Sequence, residues 1–224
     1  MGIRDEQSSS TELKRDARYH GAAVISDKRT EHLAQGVQGV IAAVTAAANA
    51  TELADEGRMI ALAKLSRADF ELDELLRELE LDLLKAVSKD RKSPLYRAVF
   101  PSGLSALVAL RGSEQNEAVG TLVKALDKRA PELAKSYSKE LNRLSKVAVD
   151  AESAWKKAEA SASAIFGEEV LARLELVRQL QKNEGALMTV FPGQRRRVRS
   201  FFRPTRRRGA APDDGSPELD KPEA

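Results

Sequence analysis

Serine, threonine and lysine are the side chains of this sequence that could act as nucleophiles, because it contains no cysteine. Two serine–lysine pairs, Ser136-x-x-Lys139 and Ser153-x-x-Lys156, have the spacing found in some acyl-transfer enzymes. The supporting Ser-Asp-Asn and Lys-Thr-Gly elements of those enzymes are missing. We therefore interpret both matches as chance in a chain rich in serine and lysine.

The two histidines, His20 and His32, are the remaining candidates for metal binding. Metal ligands in helical bundles take the form Glu-x-x-His, but Ala17 and Arg29 occupy the corresponding positions. Both histidines are therefore interpreted as exposed polar residues. The lack of cysteine excludes thiolate zinc sites and iron–sulfur clusters, and no glycine-rich phosphate loop occurs. The sequence predicts no metal site, no cofactor and no enzymatic activity.

Arginine gives the clearest functional pattern, in the stretch from residue 195 to residue 208. The candidate anion-binding residues are Arg195, Arg196, Arg197, Arg199, Arg203, Arg206, Arg207 and Arg208. Guanidinium groups suit phosphate oxygens, so this segment could bind nucleic acid or an anionic membrane without sequence preference. It contains no acidic residue and outweighs the rest of the chain, giving the protein its net charge of +3.

The same stretch also has a structural interpretation. Val198, Phe201 and Phe202 fall at positions i, i+3 and i+4, which is the spacing of one helix face. Pro192 can open such a helix and Pro204 can end it. The pattern predicts a short terminal helix that packs Val198 and one or both phenylalanines onto the rest of the protein. Whether its arginines also have a ligand stays open.

Long helices must position these residues. Hydrophobic residues make up 42% of the chain, charged residues 32% and aromatic residues only 4%, a balance typical of helices packed through aliphatic stripes. Helical spacing of apolar residues is found at 33–48, 59–65, 70–87, 119–126, 133–165 and 170–180, with Gly167 predicting a break or bend before the last stretch. The spacing over 133–165 approaches the heptad repeat of a coiled coil. The predicted fold is an all-α, largely antiparallel bundle of four or five long helices.

The domain prediction follows from where this pattern begins and ends. Residues 1–27 are polar and weakly patterned, so we predict a mobile N-terminal arm. Residues 28–204 form the predicted single helical-bundle domain. Residues 205–224 are basic and then acidic, and this composition predicts a disordered tail. Whether residues 28–65 form one helix or two stays open, because the apolar stripe falters between its two ends.

A short repeat raises the possibility of an internal duplication. The triplet Val-Phe-Pro occurs at 99–101 and again at 190–192, each time after a leucine-rich stretch. Two related helix-hairpin halves, 28–112 and 113–204, are compatible with this spacing.

The functional expectations are correspondingly broad. No apolar stretch is long enough to span a bilayer, and the first residues lack the apolar core of a secretory signal, which favours a cytoplasmic protein. We predict a non-enzymatic helical scaffold or protein-interaction protein that binds an unknown protein or associates with itself through its helical faces. The alternative is a protein that binds nucleic acid or another polyanion through residues 195–208.

Overall fold

A computed structural model of the protein describes residues 3–204, and all regular secondary structure in that range is helical. The elements are α1 (Ser10–Ile25), a 3₁₀ helix (Glu31–Leu33), α2 (Ala34–Ala86), α3 (Pro94–Val99), α4 (Leu104–Ala109), α5 (Gly112–Arg129), α6 (Pro131–Val190) and α7 (Arg195–Ser200). The prediction of an all-α helical bundle is confirmed. Residues 205–224, for which a disordered tail is predicted, lie outside the described residues.

Two very long helices, α2 with 53 residues and α6 with 60, form most of the structure. The question left open for residues 28–65 is answered by α2, which runs without a break from Ala34 through the rest of this stretch, after the separate 3₁₀ helix. The break or bend predicted at Gly167 is wrong, because α6 continues through it. The described residues divide into two compact units, and both helices contribute to each. The first unit holds the residues up to Ala46 and those from Glu169 onward, whereas the second is Ala47–Glu168. These boundaries differ from those of the predicted halves, 28–112 and 113–204.

The second unit is built around leucines of α2, α5 and α6. Its fully or almost fully buried members include Leu72, Leu76, Leu79, Leu83, Leu122, Leu126, Leu141 and Leu144. Tyr137 of α6 donates a hydrogen bond to Asp82 of α2 at 2.6 Å, whereas Arg143 interacts through space with Glu71. The two helices therefore run antiparallel here. Burial and the hydrogen bond to Asp82 raise the pKa of Tyr137 to about 12.

The N-terminal helix α1 belongs to the core of the first unit, so the mobile arm predicted for residues 1–27 is wrong over most of its length. Ser9 caps the helix by accepting a hydrogen bond from the backbone N–H of Glu12 at 3.2 Å. Leu13 and Ala17 are completely buried among residues of α2 and α6. Burial of these apolar side chains supplies the free energy that holds the helix in place.

Candidate functional site

The short helix α7 packs onto the first unit through the apolar residues that the sequence singled out. Val198 and Phe201 are only 3% and 6% exposed, and they form a cluster with Phe191, Leu187 and Val24. The rings of Phe191 and Phe201 stack with their centroids 5.7 Å apart. The predicted terminal helix and its packing are therefore confirmed.

Three of the candidate arginines, Arg195, Arg196 and Arg199, lie on the exposed side of α7. None of them forms an ion pair with another residue in the range 3–204. Because Val198 and Phe201 hold the helix down, these three charges are displayed on a fixed element rather than on a free chain.

Two other candidates, Arg197 and Arg203, are bound to acidic residues of the same unit. Arg197 pairs with Asp27 at 2.9 Å, and its guanidinium lies 4.2 Å from the centre of the Phe191 ring. Arg203 pairs with Asp16 of α1 at 3.1 Å. These two arginines therefore fasten the C-terminal segment to the beginning of the chain. Arg206, Arg207 and Arg208 lie outside the described residues.

A second guanidinium, from Arg29, shares both partners of Arg197. It pairs with Asp27 at 3.2 Å and lies 4.5 Å from the centre of the Phe191 ring. Hydrogen bonds from Arg29, with a further one from Arg197, hold the pKa of the Asp27 carboxyl below its ordinary value. The ionised carboxylate is thus stabilised between two cations at the edge of α7.

His20 is the polar residue whose environment differs most from expectation. It is completely buried, although the sequence predicts an exposed side chain in a mobile arm. Its Nδ1 lies 3.1 Å from the backbone oxygen of Phe201, and its ring stacks on Phe202 at 4.5 Å. Its Nε2 lies 3.0 Å from the side-chain nitrogen of Asn183. Burial lowers the pKa of His20.

The hydrogen bonds of Asn183 determine the protonation state of His20. The Asn183 amide oxygen accepts a hydrogen bond from Gln179 at 2.9 Å, so its nitrogen faces His20 and also donates to the Leu33 carbonyl at 3.3 Å. Because this nitrogen is a donor, Nε2 of His20 must be an unprotonated acceptor. The neutral imidazole therefore carries its proton on Nδ1 and donates it to Phe201.

The second surface feature is an apolar strip on the outside of α2. No residue between Thr45 and Arg67 is buried. Five large apolar side chains are 42–68% exposed along this part of the helix and just after it, and we call them the α2 face: Leu53, Met59, Ile60, Leu62 and Phe70. At about 100° per residue, all of them except Leu62 lie within an arc of roughly 120°. Their exposure contradicts the expectation that residues 59–65 belong to a buried stripe.

The remaining candidates for chemistry are not assembled into a site. The Ser136 hydroxyl donates to the Glu132 backbone oxygen at 3.4 Å, and Lys156 forms an ion pair with Glu152 at 2.9 Å. Neither serine–lysine pair is joined by a hydrogen bond within the described part of the chain. A cavity of about 340 Å³ beside α3, α4 and α5 is lined by apolar side chains, two hydroxyl-bearing residues and no charged residue.

Two further searches bear on possible sites. Over residues 3–204, no cluster of three or more histidines and carboxylates is placed to hold a metal ion. No helix in the same range has the length and apolar character needed to cross a membrane. Comparisons of the chain with protein-family models, with curated proteins and with solved structures found no match.

Proposed function

We propose that the protein is a non-enzymatic helical scaffold that assembles with protein chains through the α2 face. The observation that carries this proposal is the exposure of Leu53, Met59 and Ile60, which are 68%, 57% and 57% accessible. Large apolar side chains clustered on one surface are typical of interaction sites, because each gains free energy when a partner removes it from water.

The rigidity of α2 supports the same proposal. The α2 face lies on one uninterrupted helix whose next turns are anchored by Leu72, Leu76 and Leu79 in the core of the second unit. A helix that is fixed in this way loses little conformational entropy when a partner binds. A partner helix can therefore pack along it as in a coiled coil.

Replacing Met59 and Ile60 together by glutamate is expected to abolish assembly, because charges would then occupy the centre of the face. Sedimentation equilibrium between about 1 and 100 µM measures the effect as a lower average mass than that of the wild type. Leu171→Glu is the matched control, because Leu171 is 65% exposed on α6 but lies outside the α2 face. A control that behaves like the double variant contradicts the proposal, and a wild type that is monomeric throughout contradicts assembly with copies of itself.

A second candidate function is polyanion binding, favoured by three arginines on the exposed side of α7 that form no ion pair within residues 3–204. Guanidinium groups fixed on one short helix can contact neighbouring phosphates without ordering a flexible chain first. Phe201 is buried and Phe202 stacks on His20, so neither ring is free to insert into a membrane. Nucleic acid is the better fit for this surface.

The triple substitution of Arg195, Arg196 and Arg199 by glutamine is expected to weaken binding to mixed RNA and duplex DNA while α7 stays packed. For duplex DNA, the slope of the logarithm of the binding constant against the logarithm of salt concentration is negative, and its magnitude should decrease by about three. The matched control replaces three exposed cations of α5, Lys124, Lys128 and Arg129. Absence of wild-type binding at low salt, or equal losses in both variants, rules out this function.

A further inference from the structure

We infer that the α2 face binds a second copy of itself in antiparallel orientation, with the two-fold axis passing between Met59 and Ile60. This inference rests on the proposed function and adds the partner and the register. It is drawn from the order of charges along α2, which is opposite on the two sides of Met59 and Ile60.

Between residues 52 and 67, unpaired acidic residues lie on the N-terminal side of Met59 and basic residues lie on the C-terminal side of Ile60. Glu52 and Glu56 precede Met59, whereas Lys64 and Arg67 follow Ile60. The other two charged residues of this part, Asp55 and Arg58, pair with each other at 3.2 Å. Glu52, Glu56 and Lys64 are exposed and make no ion pair within residues 3–204. Between residues 52 and 67 the surface is thus acidic on one side of Met59 and Ile60 and basic on the other.

A two-fold axis makes such a surface complementary to itself. In an isologous dimer, each residue faces the one at the same distance on the other side of the axis. Glu52 then lies level with Arg67 of the second copy, and Glu56 lies within one residue, or about 1.5 Å along the helix axis, of Lys64. Met59 and Ile60 meet their counterparts at the centre. Each attraction occurs twice, once on each side of the axis.

A parallel arrangement of the same two helices lacks this complementarity. It places Glu52 beside Glu52 and Lys64 beside Lys64, so that like charges are adjacent along the whole strip. The pair that Arg67 forms with Glu71 on its own helix does not remove it from the surface, because its side chain is 70% exposed. Charge therefore selects the antiparallel register.

The orientation can be measured with a spin label, because the chain has no cysteine of its own and accepts a single introduced one. Ala50→Cys is suitable, since Ala50 is exposed on α2 and lies about 60° outside the arc of the α2 face. The antiparallel dimer places the two labels roughly 30 Å apart, whereas a parallel dimer places them about 10–15 Å apart. Pulsed electron–electron resonance distinguishes these distances.

Charge reversal gives an independent test of the register. Glu52→Lys with Glu56→Lys places basic residues on both sides of Met59 and Ile60, and Lys64→Glu with Arg67→Glu places acidic residues on both sides. Each double variant is expected to associate with itself roughly tenfold more weakly than the wild type. A mixture of the two variants should regain the wild-type association constant as a heterodimer.

The outcomes separate this inference from the proposed function. A dimer that Met59→Glu with Ile60→Glu disrupts, but whose labels are 10–15 Å apart, overturns the antiparallel register and leaves the proposed function standing. The same holds if both charge-reversed variants associate as well as the wild type. A wild type that never associates with itself overturns the dimer, whereas a dimer that Met59→Glu with Ile60→Glu leaves intact contradicts the α2 face as the assembly surface and with it the proposed function.

Discussion

Lowering the pH below about 6.5 is expected to destabilise the protein, because His20 is buried in its neutral form. The unfolded chain takes up a proton near pH 6.5, whereas the folded chain resists protonation until the pH reaches the lower pKa of the buried ring. The contribution to stability is therefore complete above pH 6.5 and is lost as the pH falls towards the folded-state pKa. One proton bound on unfolding gives a slope of at most about 1.4 kcal/mol per pH unit.

Protonation of His20 would disturb the contacts that attach the C-terminal segment to α1. A hydrogen on Nε2 would point at the Asn183 nitrogen, which is itself a donor, and the amide cannot rotate without losing its bonds to Leu33 and Gln179. Asp16 lies one turn before His20 on α1 and pairs with Arg4 and Arg203 at 2.9 and 3.1 Å. Its charge is therefore already matched by two arginines.

Urea unfolding between pH 5 and pH 7.5 measures this effect. His20→Gln should remove the part of the pH dependence between 5 and 6.5, whereas His32→Gln, at the exposed second histidine, should retain it. Asn183→Asp should weaken the dependence, because a carboxylate accepts a hydrogen bond from the protonated ring. If the wild type and His20→Gln have the same pH profile, the histidine is not held neutral in solution.

The long helices could be predicted from the sequence, but α1 could not be recognised by its apolar pattern alone. Leu13, Ala17 and Val24 are spaced as one helix face, yet the position between the last two is occupied by His20. A histidine on that face indicates an exposed polar position, because its hydrogen-bond partners lie on distant parts of the chain and cannot be inferred from the local sequence. The capping sequence Ser9-x-x-Glu12 is the signal that would have placed the start of this helix correctly.

The α2 face shows a different limit of periodicity. Spacing indicates which residues share a side of a helix, but not whether another element covers that side. Met59 and Ile60 have the composition of a core stripe and are nevertheless more than half exposed. In the C-terminal segment too, spacing predicts that Val198 and Phe201 share one face of a helix, but it gives no information on ion pairs. The acidic partners of Arg197 and Arg203 lie about 170–187 residues away in sequence and could not be inferred from it.

Phe201→Ala is expected to have one of the largest effects on stability of any single substitution in the C-terminal segment. The Phe201 side chain is 6% exposed and stacks on Phe191. The backbone carbonyl of the same residue accepts the His20 hydrogen bond. Truncation of a buried phenylalanine to alanine leaves a cavity and typically lowers the free energy of unfolding by about 3–5 kcal/mol. Ending the chain at residue 194 should cost more, because Val198 and the Phe201 carbonyl are lost as well.

Chemical denaturation separates the packing role of the C-terminal segment from the role of its charge. The two variants to compare are Phe201→Ala and the triple glutamine variant of Arg195, Arg196 and Arg199. The arginine side chains are exposed and unpaired within residues 3–204, so their replacement should change the free energy of unfolding by no more than about 0.5 kcal/mol. A large loss in Phe201→Ala with little change in the triple variant means that the apolar residues hold α7 and leave its arginines available to a ligand. Equal, small changes in both variants would show that α7 does not pack in solution.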